Sequence, residues 1–429
     1  MKEVLIEQLN ERLFFEKMDN GLDVYILPKK EFFQTFAVFA TKYGSVDNHF
    51  VPLGKEEPVR VPDGIAHFLE HKMFEKKTGD VLQAFTRRGA SANAYTTFTR
   101  TAYLFSSADR VKENLRTLLD FVQEPYFTDQ SVEKEKGIIG QEIQMYNDQP
   151  DWRAYFGTIE NMYHHHPVKI DIAGTLESIS RITKELLYEC YRTFYHPANM
   201  AVFVAGPVDP GETLALIREN QGKKSFARPE EIRRIDPDEP EGVATKFRKM
   251  EMNVQTPKCM VGIKGRDEGK TGDEALREEL AVELLLEMLF GKSSPHREGL
   301  YNEDLITDRF YFDYSRESGF AFAVIGGDTK HPDRLNERIR EILFGAKAGT
   351  GLEEAGLVRI KKKKIGEFLR AFNSPEFIAN QFIKYRFNGI DLFRVLPVLE
   401  TIGYQDVIRA AERLISEDRI TCFQIVPKG

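Results

Sequence analysis

Cysteine is scarce in this 429-residue sequence. Its three residues, Cys190, Cys259 and Cys422, are odd in number and widely scattered, which argues against a disulfide framework and fits reduced thiols in a reducing compartment. Long apolar runs are missing too. No stretch approaches the ~20 residues of a bilayer span, and the opening "MKEVLIEQLNERLFFEKMDNG" has charges every few residues where a secretory signal would have an apolar core. The expectation is a cytoplasmic protein with no membrane insertion. Nor is there a basic excess: 60 Lys and Arg stand against 67 Asp and Glu, a formal net charge of −7, which leaves no electrostatic footprint for nucleic acid.

What is present is the composition of a soluble globular protein, 41% hydrophobic and 30% charged, in a chain longer than one core usually organises. "GLDVYILPKK", "QTFAVFATKYGSVDN" and "TRTAYLFSSA" read as strands. "RVKENLRTLLDFVQEPYF" has Leu115, Leu118, Leu119 and Val122 at helical spacing before Pro125. "DQSVEKEKGIIGQEIQMYNDQP" reads as a further helix capped by Asp129, with Ile138, Ile139, Ile143 and Met145 as its apolar side. A Pro-rich, charged stretch at 222–243 reads as a linker between a half spanning 1–221 and another spanning 244–429. The halves share a pattern: "HFLEHKMFEK" stands opposite "ELLLEMLFGK", and each half closes with a helix and an apolar strand, which points to a weak internal duplication.

Histidine is rare as well, nine in all, yet two of them lie in "DGIAHFLEHKMFEKK". On a helix His67 and His71 are i and i+4 and share a face, with Glu70 pointing the same way. Two imidazoles plus one carboxylate, with a fourth position left for water, is a zinc-hydrolase ligand set, and Glu70 is placed to act as general base toward that water. The third ligand is expected from another helix. Glu135 and Glu142 are seven apart, two helical turns, so one could bind metal while the other supports a ligand histidine; periodicity alone also leaves Glu133 open.

"GSVDN", "GIAHFLEHKMF", "GASANAYTTFTRTAYLF", "VEKEKGIIGQEI", "AGTLESISRIT" and "FYHPANMAVFVAGPVD" follow one another as the motifs of the pitrilysin/insulinase family of inverzincin metallopeptidases do. The sequence resembles the short, bacterial processing-peptidase-like branch of that family, strongly over residues 20–210 and in outline beyond. The resemblance implies that His67, His71 and Glu142 bind Zn2+, that Glu70 is the general base and that Glu135 is the supporting carboxylate of the catalytic set. It implies that Asn93 and Ala94 lie on a strand edge and meet a peptide substrate by β-addition. The implied fold is α+β: two similar halves, each a mainly antiparallel sheet with packed helices, facing each other across a substrate chamber. The implied activity is zinc-dependent cleavage of short or unfolded polypeptides. A non-proteolytic scaffold subunit of the same fold is the competing expectation.

Two departures from the family pattern stand out. "HFVPLGKEEPVRVP" is inserted ahead of the histidine motif. In the second half, family members carry an arginine and a tyrosine seven residues apart that hold substrate and oxyanion. Here "GKSSPHREGLYNEDLITDRFYF" places Tyr301 and Asp308 at those positions, with Arg297, Arg309 and Tyr311 nearby but out of register. The expectation is that Tyr301 contacts substrate and that the protein works as a homodimer, or as a heterodimer with a paralogous subunit carrying the Arg/Tyr pair. "YHHHP", His164 to His166, reads as a surface loop, and the lysine run within Arg359–Arg370 as a solvated helix face.

Overall fold

Strands buried on both faces need apolar side chains in both directions, and "TFAVFAT" and "MAVFVAG" meet that requirement over seven residues each. They form the middle of a seven-stranded sheet in the computed structural model, which describes residues 1–266 and 268–428. The strands are β1 (Lys2–Ile6), β2 (Glu11–Lys17), β3 (Asp23–Pro28), β4 (Thr35–Thr41), β5 (Ser91–Thr96), β6 (Thr101–Ser107) and β7 (Met200–Gly206), in the order β1-β2-β3-β7-β4-β6-β5. All pairs are antiparallel except β3 and β7, where Val24 faces Val202. β5 is an edge strand, paired on one side only, with Ala94 opposite Tyr103 and Asn93 opposite Leu104.

Residues 1–143, 171–235 and 370–387 make up this first unit. Two of its helices carry the site: α1 (Ile65–Met73) and α2 (Asp129–Asn147). The cap of α2 is Thr128 and not Asp129, because Thr128 and Ser131 exchange backbone-to-hydroxyl bonds of 3.1 Å in both directions. Its buried side is Val132, Glu135, Ile139 and Ile143; Ile138 and Met145 are about half exposed, against expectation, since they lie off that stripe.

The second unit, residues 144–170, 236–369 and 388–429, holds a five-stranded sheet of β8 (Phe247–Met252), β9 (Lys258–Lys264), β10 (Tyr311–Glu317), β11 (Phe320–Asp328) and β12 (Ile420–Pro427). Its order is β8-β12-β9-β11-β10, and β8 and β12 are its parallel pair. This repeats β3-β7-β4-β6-β5 strand for strand, so the duplication is a property of the topology. The seven-stranded sheet extends this shared order by the β1–β2 hairpin. Helices α3 (Gly272–Phe290), α4 (Pro295–Asn302) and α5 (Glu354–Ala371) belong to the second unit.

The units are not contiguous halves. The helix Pro375–Phe387, late in the chain, packs on the first sheet, where the Phe382 ring lies 4.6 Å from those of both Tyr25 and Phe203. The helix Pro150–Met162, early in the chain, packs on the second sheet. There a Cβ on Gly157 would fall 2.4 Å from the Phe423 ring, so only glycine allows the approach. The two helices occupy the same place in the repeat, and each completes the unit of the other half.

The expected linker is built in rather than loose. Residues 233–234 pair with His49–Val51, which in turn pairs with Val59–Arg60, so the inserted segment folds as a hairpin in a small three-stranded sheet. Arg234 Nε donates to Asp47 Oδ1 at 2.5 Å. Further along, the Glu239 carboxylate accepts from the backbone N–H groups of His164, His165 and His166 at 2.7–2.8 Å and from Lys264 Nζ at 2.5 Å. The histidine loop is thus gripped, and His166 is buried rather than on the surface. Among the described residues no helix is long and apolar enough to cross a membrane.

Candidate metal centre

The chain enters α1 through Gly64, whose φ of +87° and close approach to the Ala173 carbonyl oxygen exclude a side chain. Asp63, just before it, is held by Asn48 Nδ2 at 2.8 Å on its carboxylate and by Ser178 Oγ at 2.8 Å on its carbonyl. The helix itself is buried nearly all round, with His71 its one partly exposed residue. A polar trio on such a helix must find partners inside the protein.

The partners come from α2 and β5. Glu142 Oε1 lies 3.8 Å from His67 Nε2, and Glu142 Oε2 lies 3.7 Å from His71 Nε2. Ligand atoms of these three residues all fall within 4.8 Å of one another. Glu135 Oε1 sits 3.1 Å from His71 Nδ1, which assigns the proton to Nδ1 and turns the Nε2 lone pair toward Glu142. Glu70 Oε2 accepts from Thr96 Oγ1 at 2.7 Å.

Separations of 3.7 and 3.8 Å are too long for hydrogen bonds. They are close to the spacing of about 3.3 Å between two ligands that each sit ~2.0–2.1 Å from a tetrahedral zinc ion. The donor set, two neutral imidazole nitrogens and one carboxylate, is that of a hydrolytic zinc site, so the residues fit the metal. Burial, with the neighbouring His71, pushes His67 down to about 4, which leaves it neutral and able to donate a lone pair. Burial would lower His71 as well, but the bond to Glu135 together with the charges of Glu70, Glu135 and Glu142 outweighs it and the net shift is upward. Burial raises Glu70 to about 6, against the pull of the Thr96 hydroxyl.

The five residues read from the sequence as metal ligands, base and support thus converge: His67, Glu70, His71, Glu135 and Glu142. Glu133 does not join them; it is exposed and pairs with Lys136 at 2.6 Å. Asn93 and Ala94 lie on the edge strand that brings Thr96 to Glu70, and the Ala94 N–H donates to Asn93 Oδ1 at 2.9 Å. Tyr301 is exposed on α4, in the second unit, and is not part of the unit that carries the histidines. Arg297 is committed elsewhere, donating to the carbonyls of Phe290 and Phe310 at 3.2 and 3.1 Å.

Sequence reasoning missed Thr96 and Lys72. Thr96 was signalled by strand alternation, since it points to the same side as Ala94 two residues earlier. Lys72 follows the motif directly and has a fully buried side chain.

In the second unit the residues opposite His67 and His71 in the repeat are Glu283 and Glu287 on α3. Lys364 meets Glu283 at 3.1 Å and Lys363 meets Glu287 at 2.5 Å, while Lys361 donates to the carbonyls of Glu400 and Ile402. The lysine run is therefore largely engaged with protein and not a free solvated face. Ion pairs stand where the first unit has its histidine ligands.

Residues 56–176 match the family model "Insulinase (Peptidase family M16)", and residues 181–364 match "Peptidase M16 inactive domain". An uncharacterised zinc protease of Bacillus subtilis, YmfH, is 59% identical over 429 residues, the whole of both chains. The chain belongs to the M16 peptidase family. Among solved structures, an M16-like peptidase from Alicyclobacillus acidocaldarius is 41% identical with a TM-score of 0.94, covering 97% of this M16 chain and 99% of the other. Pitrilysin shares the fold at a TM-score of 0.72 and 16% identity, over 98% of this chain and 45% of its own. The M16 match that ends at residue 176 contains the converging residues, and the match named inactive contains Glu283, Glu287 and their lysines.

Proposed function

We propose that this M16 chain is a zinc metalloendopeptidase that cleaves short or unfolded polypeptides. The observation that carries the proposal is the convergence of His67, His71 and Glu142 with a buried, oriented Glu70 beside them. Zinc bound there would polarise the scissile carbonyl and lower the pKa of a water toward ~7. The chain's own residues do the rest. His67 and His71 would hold the metal through Nε2, with Glu142 as third ligand, and Glu135 keeps His71 in the tautomer that leaves Nε2 able to bind. Glu70 takes the proton of the attacking water and returns it to the leaving amine. The Thr96 hydroxyl donates to Oε2, which leaves Oε1 to accept that proton.

Substrate selection is assigned to β5. An extended peptide adding to this edge would replace Asn93 Oδ1 at the Ala94 N–H, and only an unfolded segment offers its backbone in that way. A paralogous subunit supplies the arginine and tyrosine that hold substrate, since Tyr301 and Asp308 stand at those positions in every copy of this chain.

Glu70→Gln tests the base. It is expected to keep zinc at one equivalent and to lose cleavage of an unstructured reporter peptide by about 10²–10⁴-fold. Turnover near the wild-type rate in that variant would remove Glu70 from the mechanism.

A further inference from the structure

We propose that Lys72 is a positioning residue of the metal centre, one that holds Glu135 against His71 and fastens α1 to α2. The inference rests on the metal-centre reading above and extends it to a residue with no assigned role.

The Lys72 side chain is fully buried. Lysines are almost never so unless paired, because an ammonium ion loses its hydration on entry. Its Nζ has three neighbours. It bonds Glu75 Oε2, donates to the Ser131 carbonyl at 3.4 Å, and lies 3.9 Å from Glu135 Oε2. The other Glu135 oxygen is the one 3.1 Å from His71 Nδ1. Glu135 thus has a partner at each end, the charge of an ammonium 3.9 Å from Oε2 and an imidazole bonded to Oε1.

Two of the three contacts reach α2. Ser131 and Glu135 are one turn apart on that helix, and two turns beyond Glu135 comes Glu142. Lys72 therefore grips the helix that brings the third ligand, from the helix that brings the first two. An apolar side chain would fill the same space with no desolvation cost, and replacing a buried ion pair by apolar groups is often neutral or stabilising. Stability alone gives no reason for a lysine here. Orientation does: a free carboxylate has several rotamers, and the one in place here presents Oε1 to His71.

The test is zinc affinity, measured by competition with a chromophoric chelator, on wild type, Lys72→Met, Glu135→Gln and the double variant, with circular dichroism reporting the fold. If Lys72 acts through Glu135, Lys72→Met weakens zinc binding by about 10–100-fold, as loss of an outer partner of a ligand does. In the Glu135→Gln background the same change then adds less than about threefold. An affinity for Lys72→Met within threefold of wild type overturns the proposal, and so does an equal loss in both backgrounds, which is what a general packing defect produces. Should Lys72→Met fail to fold, Lys72→Gln is read by the same two criteria. Wild-type protein that binds no zinc would instead overturn the metal centre itself, an outcome distinct from zinc binding that is indifferent to Lys72.

Discussion

Glu142 stands 3.8 Å from His67 Nε2 while lying seven residues beyond Glu135 on one side of α2, so a single helix face delivers both the third ligand and the carboxylate that orients His71. Two turns of helix separate these roles by about 10.5 Å along the axis. That is far enough for Glu142 to address both imidazoles and for Glu135 to reach behind one of them.

The division of labour has a measurable consequence. Glu142→Gln is expected to weaken zinc retention strongly, because a neutral amide replaces a charged ligand, whereas Glu133→Gln, which changes only an exposed pair with Lys136, is expected to leave zinc content unchanged. Metal analysis after dialysis against a weak chelator separates the two. Zinc content governed by Glu133 would mean that the face of α2 has been misassigned.

Glu239 makes a prediction about acid stability. Burial opposes its ionisation, but Lys264 and the three N–H groups of the histidine loop hold it down to about 2, from an ordinary value of 4.5. A carboxylate depressed in the folded state contributes stability above its unfolded value and loses it as pH falls through the folded one. Glu239→Gln is therefore expected to destabilise the protein by about 1–3 kcal/mol at pH 7. Its deficit against wild type should shrink between pH 4.5 and about 2, as followed by urea unfolding at each pH. A deficit that stays constant across that window would assign the effect to packing.

The third expectation concerns substrate holding. Tyr301 and Asp308 are both exposed, so both positions accept large side chains without repacking a core. The isolated chain is expected to bind zinc fully yet cleave an unstructured peptide poorly, since loss of an oxyanion donor typically costs ~10²–10³ in rate. Tyr301→Arg combined with Asp308→Tyr is expected to recover part of that rate. Efficient cleavage by the unmodified chain without a partner would move the role to Tyr301 or another residue already present.

The spacing of residues along a helix was enough, by itself, to pair the candidate residues of the centre, while the choice of Glu142 as ligand over Glu135 and Glu133 rested on the family resemblance. His67 with His71, and Glu135 with Glu142, are local relations set by 3.6 residues per turn, and they hold wherever the helices go. The repeat was legible for a similar reason: matching helix ends and closing strands recur in the same order, and five strands of the first sheet follow the order of the second. What the sequence left open depends on contacts between distant segments. Thr96 meets Glu70 only because β5 runs along the sheet edge past α1. Lys72 looks like a solvated lysine until α2 covers it. Ile138 and Met145 are apolar yet exposed, because the buried stripe of α2 is chosen by the elements packed on it and not by hydrophobicity alone. The exchange of the helices Pro150–Met162 and Pro375–Phe387 is the clearest case. Their amphipathic pattern says that each must cover an apolar face, and two similar sheets offer two such faces; only shape, as where Gly157 admits the Phe423 ring, decides which helix covers which.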